Sequence, residues 1–333
     1  MRAFENLTGH AVAKTIGHDP EGHWRVTAIV KATFTWEGDG AAVPTTPVPI
    51  DEDDQLVEMG PPRPRTDVLL VGTMAFPSPM TEIDTCLEVG TRIRKIVRVF
   101  GDRVWLPRAF GGAGPSDPLP ATTVPITWER CFGGTDADDP RLIERRNPVG
   151  SGIATRIESL QGRPAPSFED PGDLIATWKS RPAPIGFGPI AAHWVPRIAF
   201  AGTYDDVWEK ERSPFLPHDF DPAFFNVAPT DQQLDGYRFG EQVALTNMTS
   251  AAYDRFRLPP FEVPVEFVTR EDLVEDEAVV DTIIIEPAER RFSLIARANA
   301  RLRSGAASLR RIVVGGHSRA ADPLRENAAG APP

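Results

Sequence analysis

Only two cysteines, Cys86 and Cys131, occur in 333 residues, so no disulfide framework can hold this chain together. Reduced thiols in a cytoplasm are the simpler expectation. Histidine is scarce too: His10, His18, His23, His193, His218 and His317 show no zinc-ligand spacing, and the two cysteines lie far apart. Apolar runs are short, and none approaches the ~18 residues of a membrane-spanning helix. Met1-Arg2-Ala3-Phe4-Glu5-Asn6 offers no apolar segment of a secretory signal. Basic tracts are missing, and a net charge of −11 repels nucleic acid and anionic lipid. Gly111-Gly112-Ala113-Gly114 lacks the Lys-Ser/Thr of a phosphate loop and runs into Pro115, so it reads as a turn. These gaps exclude a nucleic-acid binder and a membrane span, and they point to no metal and no cofactor.

What is abundant is proline, with 34 residues, roughly twice the usual ~5% share. Prolines scattered between short apolar runs suit loops and edge strands and argue against a helical bundle. Strand patterns agree. In residues 24–37, Trp24, Val26, Ala28, Val30, Ala32, Phe34 and Trp36 alternate with polar positions, Ile29 excepted, which predicts one long half-buried strand. Thr66-Asp67-Val68-Leu69-Leu70-Val71-Gly72 contains a short apolar strand. Residues 82–106 read as a three-stranded meander. A three-residue loop centred on Gly90 would set Leu87 against Ile93, Glu88 against Arg92 and Glu82 against Arg98, an exposed ladder of opposite charges. A turn at Gly101-Asp102 would bring Val104 opposite Val99. Further strands are expected over 261–267, and a hairpin of 279–285 with 292–296 after an acidic turn at 271–277. Residues 316–333 read as a disordered tail.

The middle, residues 135–240, is irregular, with short helices expected at 171–179 and 205–212. Its aromatics (Trp178, Phe187, Trp194, Tyr204, Trp208, Phe215, Phe220, Phe224, Phe225) are expected to pin long loops onto a sheet. Long ordered loops tend to be functional. The fold class expected is mainly β: antiparallel, sandwich-like sheets with long ordered Pro/Gly-rich loops and few short helices. Residues 1–315 form one domain, with sub-regions 1–135 and 136–315 as the natural division.

The chain is organised around residues 123–150. Ile126 and Trp128 alternate with Thr127 and Glu129 as in a short strand, Gly133-Gly134 form an elbow, and Asp136 to Pro140 close an acidic turn. Cys131, His193 and Asp205 could build a Cys-His-Asp hydrolase, but no helix N-terminus is expected beside Cys131, so a buried structural thiol is the better account. Asp136, Asp138 and Asp139 resemble the start of a calcium loop whose Gly and terminal Glu are missing. Turn formation explains them better than a bound cation. Asn226, Gln232 and Gln233, beside Phe224-Phe225, suit either a partner-facing edge or local turn capping.

One resemblance brings these phrases together. Ile126-Thr127-Trp128-Glu129-Arg130-Cys131-Phe132-Gly133-Gly134-Thr135-Asp136 followed by Arg146-Asn147-Pro148-Val149-Gly150 resembles an uncharacterised-domain family of bacterial type VI secretion loci. Glu5-Asn6-Leu7-Thr8, Arg98-Val99-Phe100-Gly101-Asp102-Arg103, Gly186-Phe187-Gly188-Pro189-Ile190 and Asp231-Gln232-Gln233-Leu234 match the same pattern. The likeness spans about residues 4–297. It implies a cytoplasmic, non-enzymatic adaptor or chaperone that holds a secreted effector protein and helps load it onto the spike protein. The family often shows Trp-Arg in its last strand, where this chain has Ala296-Arg297. No catalytic residue follows from the resemblance. Trp128, Arg130, Asn147, Trp194, Phe224, Phe225, Asn226, Gln232 and Gln233 are the candidates for partner binding. The competing expectation is a hydrolase or carbohydrate-active enzyme that uses acids of the 135–150 loop, and a third is a structural component of the secretion particle.

Overall fold

Strand Trp24–Trp36 is the spine of the molecule. The structure, a computed structural model, describes residues 3–38, 40–51, 56–108 and 112–316. The tail expected over 316–333 thus lies outside the described residues, apart from Gly316. Thirteen residues of alternating pattern place Trp24–Trp36 inside a seven-stranded sheet. Its order is Gln233–Leu234, Thr66–Leu70, Val279–Glu286, Arg291–Arg301, Trp24–Trp36 and Ala11–His18, with Ala42–Pro44 beside the end of the spine. All neighbours run antiparallel except Thr66–Leu70 with Val279–Glu286. The sheet draws on both halves of the chain.

A five-stranded sheet (Phe168–Glu169, Ile93–Phe100, Glu82–Val89, Gln242–Thr246, Tyr253–Arg257) packs against it. So does a four-stranded sheet of Ala3–Asn6, Arg311–Val314, Pro264–Val268 and Leu273–Glu277. Val26, Ala28, Val30, Ala32, Phe34 and Trp36 share one apolar core with Val97, Val99, Val243 and Leu245 of the second sheet and Val265, Phe267 and Ile312 of the third. Phe256 lies between Trp36 (4.7 Å) and Phe292 (4.4 Å), a stack that fixes sheet against sheet. The protein is a mainly β, sandwich-like body, as its patterning predicts.

Five local expectations need correction. The spine is buried on both faces, because residues 46–51 and 56–63 fold over its polar side: Val48 N donates to Thr33 Oγ1 (3.1 Å) and Lys31 Nζ to Pro49 O (3.4 Å). The 82–100 hairpin has the odd loop length expected, but the loop is Gly90, Thr91 and Arg92, which shifts the pairs to Asp84–Arg98 and Glu88–Arg94. Gly90 takes φ +52 at the first loop position, and Arg92 turns away to ion-pair with Glu241. The meander stops at two strands. Phe168–Glu169 occupies the next place beside Ile93–Phe100, while Trp105–Arg108 pairs with Gly112–Pro115. Finally, residues 271–277 include a strand, Leu273–Glu277, and residues 171–179 are not helical, since Glu169 Oε2 captures the amide of Ile175 (2.7 Å). The helix expected near 205 is there, as Asp206–Glu211, capped by Asp205 accepting from Val207 N and Trp208 N.

Beneath the seven-stranded sheet lies a layer of buried charge. Arg297 reaches Asp281 and the carbonyls of Val57 and Glu58; Asp281 also accepts from Arg63 N (3.0 Å). Arg63 Nη1 pairs with Asp67 (2.7 Å), and Asp67 accepts from Asn226 Nδ2 (2.9 Å) and Val227 N (2.7 Å). Burial pushes the Asp67 carboxyl up, against the pull of Arg63. Ala296-Arg297 therefore keeps the arginine of the expected Trp-Arg pair in a structural post. Asp281→Ala would leave Arg297 buried without its counter-ion and cost about 3–5 kcal/mol, whereas Asp84→Ala on the exposed ladder costs below about 1 kcal/mol. Urea denaturation of the two variants checks the contrast.

Candidate partner-binding surface

The elbow at 123–150 is built by close backbone approach. Trp128–Arg130 form a 3-10 turn rather than a strand, and Phe132–Gly133 then pair in parallel with Ser151–Gly152. Gly133 has φ +148 and Gly134 φ +103, and a Cβ on either would strike Asn147 O (2.2 Å) or Gly150 O (2.5 Å). Asn147 fills the elbow, fully buried, donating to Trp128 O (2.8 Å) and Phe132 O (2.9 Å). Its side chain faces inward and holds the loop, so it offers nothing to a partner.

Trp128 stands on the rim. Its Nε1 donates to Pro189 O (2.8 Å), its ring meets Gly186, and it lies edge-on to Trp194 at 6.1 Å. Trp194 is buried and donates to His193 Nε2 (3.0 Å). Arg130 is half-buried and tied to Asp102 (2.7 Å). From Trp128 a seam continues through residues 186–190 along Thr66–Leu70: Leu70 N donates to Phe187 O (3.2 Å) and Ile190 N to Val227 O (2.7 Å). Gln232, fully buried, donates to Val68 O (2.7 Å) and Phe187 O (3.0 Å) and accepts from Lys95 Nζ (2.7 Å). Asn226 donates to Arg65 O and Asp67; half-buried Gln233 donates to Ala228 O (2.9 Å). Phe224 and Phe225 cluster with Phe220, and Arg197 stacks over Phe224 at 5.1 Å. Thus the nine candidate residues lie along one seam that stitches the irregular belt to the sheet. Asn147, Trp194, Asn226 and Gln232 are buried inside it; Trp128, Arg130, Gln233 and the Phe pair are at its margin.

Sequence reasoning missed Lys95, the charge at the centre of that seam. It occupies an inward position of Ile93–Phe100 and donates to Gly186 O (2.7 Å), Gln232 and Asp231 (3.1 Å). Burial lowers its pKa, with Asp231 opposing. The signal was present: a lysine with the same parity as Ile93, Val97 and Val99. Cys131 lies nearby, its thiol pushed up by burial, and Asp205 is used as a helix cap, so the residues of the imagined Cys-His-Asp set serve other ends.

The acidic loop is likewise self-contained. Asp136 accepts from Asp138 N (2.7 Å) and Thr155 N, Asp138 from Ser159 and Arg156 (2.9 Å), Asp139 from Arg141 (2.8 Å), and Glu144 from Arg146 (2.8 Å). These hydrogen bonds hold all four carboxyls below their usual range. A general acid for glycoside chemistry needs the opposite shift.

A family model described as an uncharacterized protein conserved in bacteria, DUF2169, matches residues 21–297. The chain belongs to the DUF2169 family. No curated protein and no solved structure matches it. The family match covers the spine, the elbow and the seam, and ends at Arg297.

Two outcomes follow from the geometry. Gln232→Ala removes one acceptor from the buried Lys95 ammonium and costs about 1–3 kcal/mol in chemical denaturation, while Gln233→Ala stays within about 1 kcal/mol. Because the four loop carboxyls titrate lower folded than unfolded, their stabilisation is present at neutral pH. It fades as pH falls through the ordinary carboxylate values of 4.5 and 3.8 and below. Amide exchange over residues 135–160, corrected for intrinsic rates, should accelerate at pH 3 relative to pH 7, and less so in Asp136→Asn.

Proposed function

We propose that this DUF2169 protein is a non-enzymatic adaptor or chaperone: it binds a secreted effector of a type VI secretion system in the cytoplasm and helps load it onto the spike protein. The observation that carries the reading is the belt over residues 135–240. It is held to the sheets by seam hydrogen bonds, yet it leaves Ile198, Tyr204, Val207 and Phe239 exposed at 47%, 53%, 59% and 70%. A stiff, irregular surface with isolated large apolar side chains suits recognition of another polypeptide, because little ordering entropy is lost on docking. The link to type VI secretion rests on the family phrases read in the sequence.

No helix among the described residues is long and apolar enough to cross a membrane. The charges buried beneath the sheet and along the seam are paired within the chain, which is how a scaffold is built.

The test uses the effector encoded beside the gene. Co-expression should give a stable complex and raise the melting temperature; an effector at a hundredfold its Kd adds about 2.7 kcal/mol. Tyr204→Ala combined with Val207→Ser should weaken that complex at least about fivefold, the scale of a contact worth ~1 kcal/mol. Absence of a complex with the unaltered protein, or turnover of a glycan or ester substrate, would overturn the proposal.

A further inference from the structure

Resting on that adaptor reading, we infer that the open edge of strand Ala11–His18 takes an extended segment of the partner as an added β-strand, one that carries an acidic residue opposite Lys14.

The strand closes the seven-stranded sheet on one side, and among the described residues nothing pairs with its outer edge. Which main-chain groups point outward follows from the ladder. Thr33 O accepts from Thr45 N on the side of the spine that Ala11–His18 continues. Antiparallel alternation then turns the amides and carbonyls of Ala11, Ala13, Thr15 and Gly17 toward the spine and those of Val12, Lys14, Ile16 and His18 away from it. Four residues thus present donors and acceptors at strand spacing, with no proline and no bulge among them.

The other edges are poorer templates. Phe168–Glu169 and Gln233–Leu234 have two residues each, and Ala3–Asn6 has four. Tyr253–Arg257 is covered, since Arg257 N donates to Gly40 O (3.0 Å). Leu273–Glu277 carries three acids in five residues, beside a groove of about 500 Å³ lined by Glu262, Glu266 and Glu275.

Charge decides what Ala11–His18 accepts. In a chain of net charge −11, residues 7–18 contain no acid, while His10, Lys14 and His18 line the strand. The flanking acids are engaged: Glu5 with Arg311 (3.7 Å), Asp19 with Arg25 (2.9 Å). Lys14 rests its ammonium 5.6 Å from the Phe4 ring, and no carboxylate lies within ion-pair reach among the described residues. A carboxylate opposite Lys14 on the added strand supplies the missing counter-charge. Side chains define the rest of the register. Ala11, Ala13, Thr15 and Gly17 are small, so large apolar residues of the added strand fit on that face. The strand ends between aromatic shoulders: His10 with Phe261 at 5.6 Å, and His18 with Phe215 at 5.1 Å and Trp24 at 3.9 Å. Phe215 comes from the belt, so edge and belt form one continuous surface.

The probe is an acetylated nine-residue peptide of alternating Val and Thr with Glu at its centre, and its counterpart with Lys there. With the full chain, the Glu peptide should slow amide exchange at Val12, Lys14 and Ile16 and bind about fivefold tighter than the Lys peptide. Lys14→Glu should reverse that preference. Lys14→Pro removes an outward N–H and leaves the ladder to the spine intact, so it should abolish binding of both peptides without lowering the melting temperature. Slowed exchange at Leu273–Glu277 or Tyr253–Arg257 instead, no slowing anywhere, or an unchanged preference in Lys14→Glu would each overturn the inference. If the neighbouring effector still binds Lys14→Pro at full strength, the edge is wrong and the adaptor reading stands; if it never binds the unaltered protein, the adaptor reading itself falls.

Discussion

The run Arg297–Asp281–Arg63–Asp67 is the constraint on which the remaining architecture depends. A β-sheet with one apolar face normally shows water the other. Here that second face is charged yet dry, so it must be covered by chain that can satisfy it. Residues 56–63 and 224–228 do so with carbonyls, amides and the Asn226 side chain. Buried ion pairs add little net stability, because desolvation offsets much of the Coulomb gain. They exact a high penalty for the wrong arrangement, and so specify which loop lies where.

The same logic operates along the seam. Lys95, Gln232 and the carbonyls of Val68, Gly186 and Phe187 form a polar chain between two sheets, and Trp128 closes its outer end on Pro189. About a hundred residues of irregular chain could not persist as separate mobile loops beside so dense a set of fixed partners. Proline stiffens that belt further by removing donors that would need partners and by fixing φ.

Short-range features were legible in the sequence. Strand patterning located the spine, the first two strands of the 82–106 meander and the hairpin of 279–285 with 292–296, since each follows from neighbours in the chain. The short helix expected over 205–212 was legible for the same reason, although Asp205 turns out to be its cap. Long-range choices were not. Nothing local says that Phe168–Glu169 displaces Trp105–Arg108 beside Ile93–Phe100, nor that residues 46–51 and 56–63 dry out the back of the spine. The elbow was recognisable from its glycines, whereas the inward turn of Asn147, Asn226 and Gln232 was not. An amide beside aromatics reads alike whether it faces a partner or the chain's own carbonyls. Lys95 was the clearest signal passed over, a charge at a core parity position.

The four-stranded sheet sets Ala3–Asn6 in parallel against Arg311–Val314. Its first strand is therefore synthesised some three hundred residues before the neighbour it pairs with. Until then Phe4 has no completed sheet to join, and a nascent chain of this protein waits with an unmated β-segment exposed to chaperones and to its siblings on the same message.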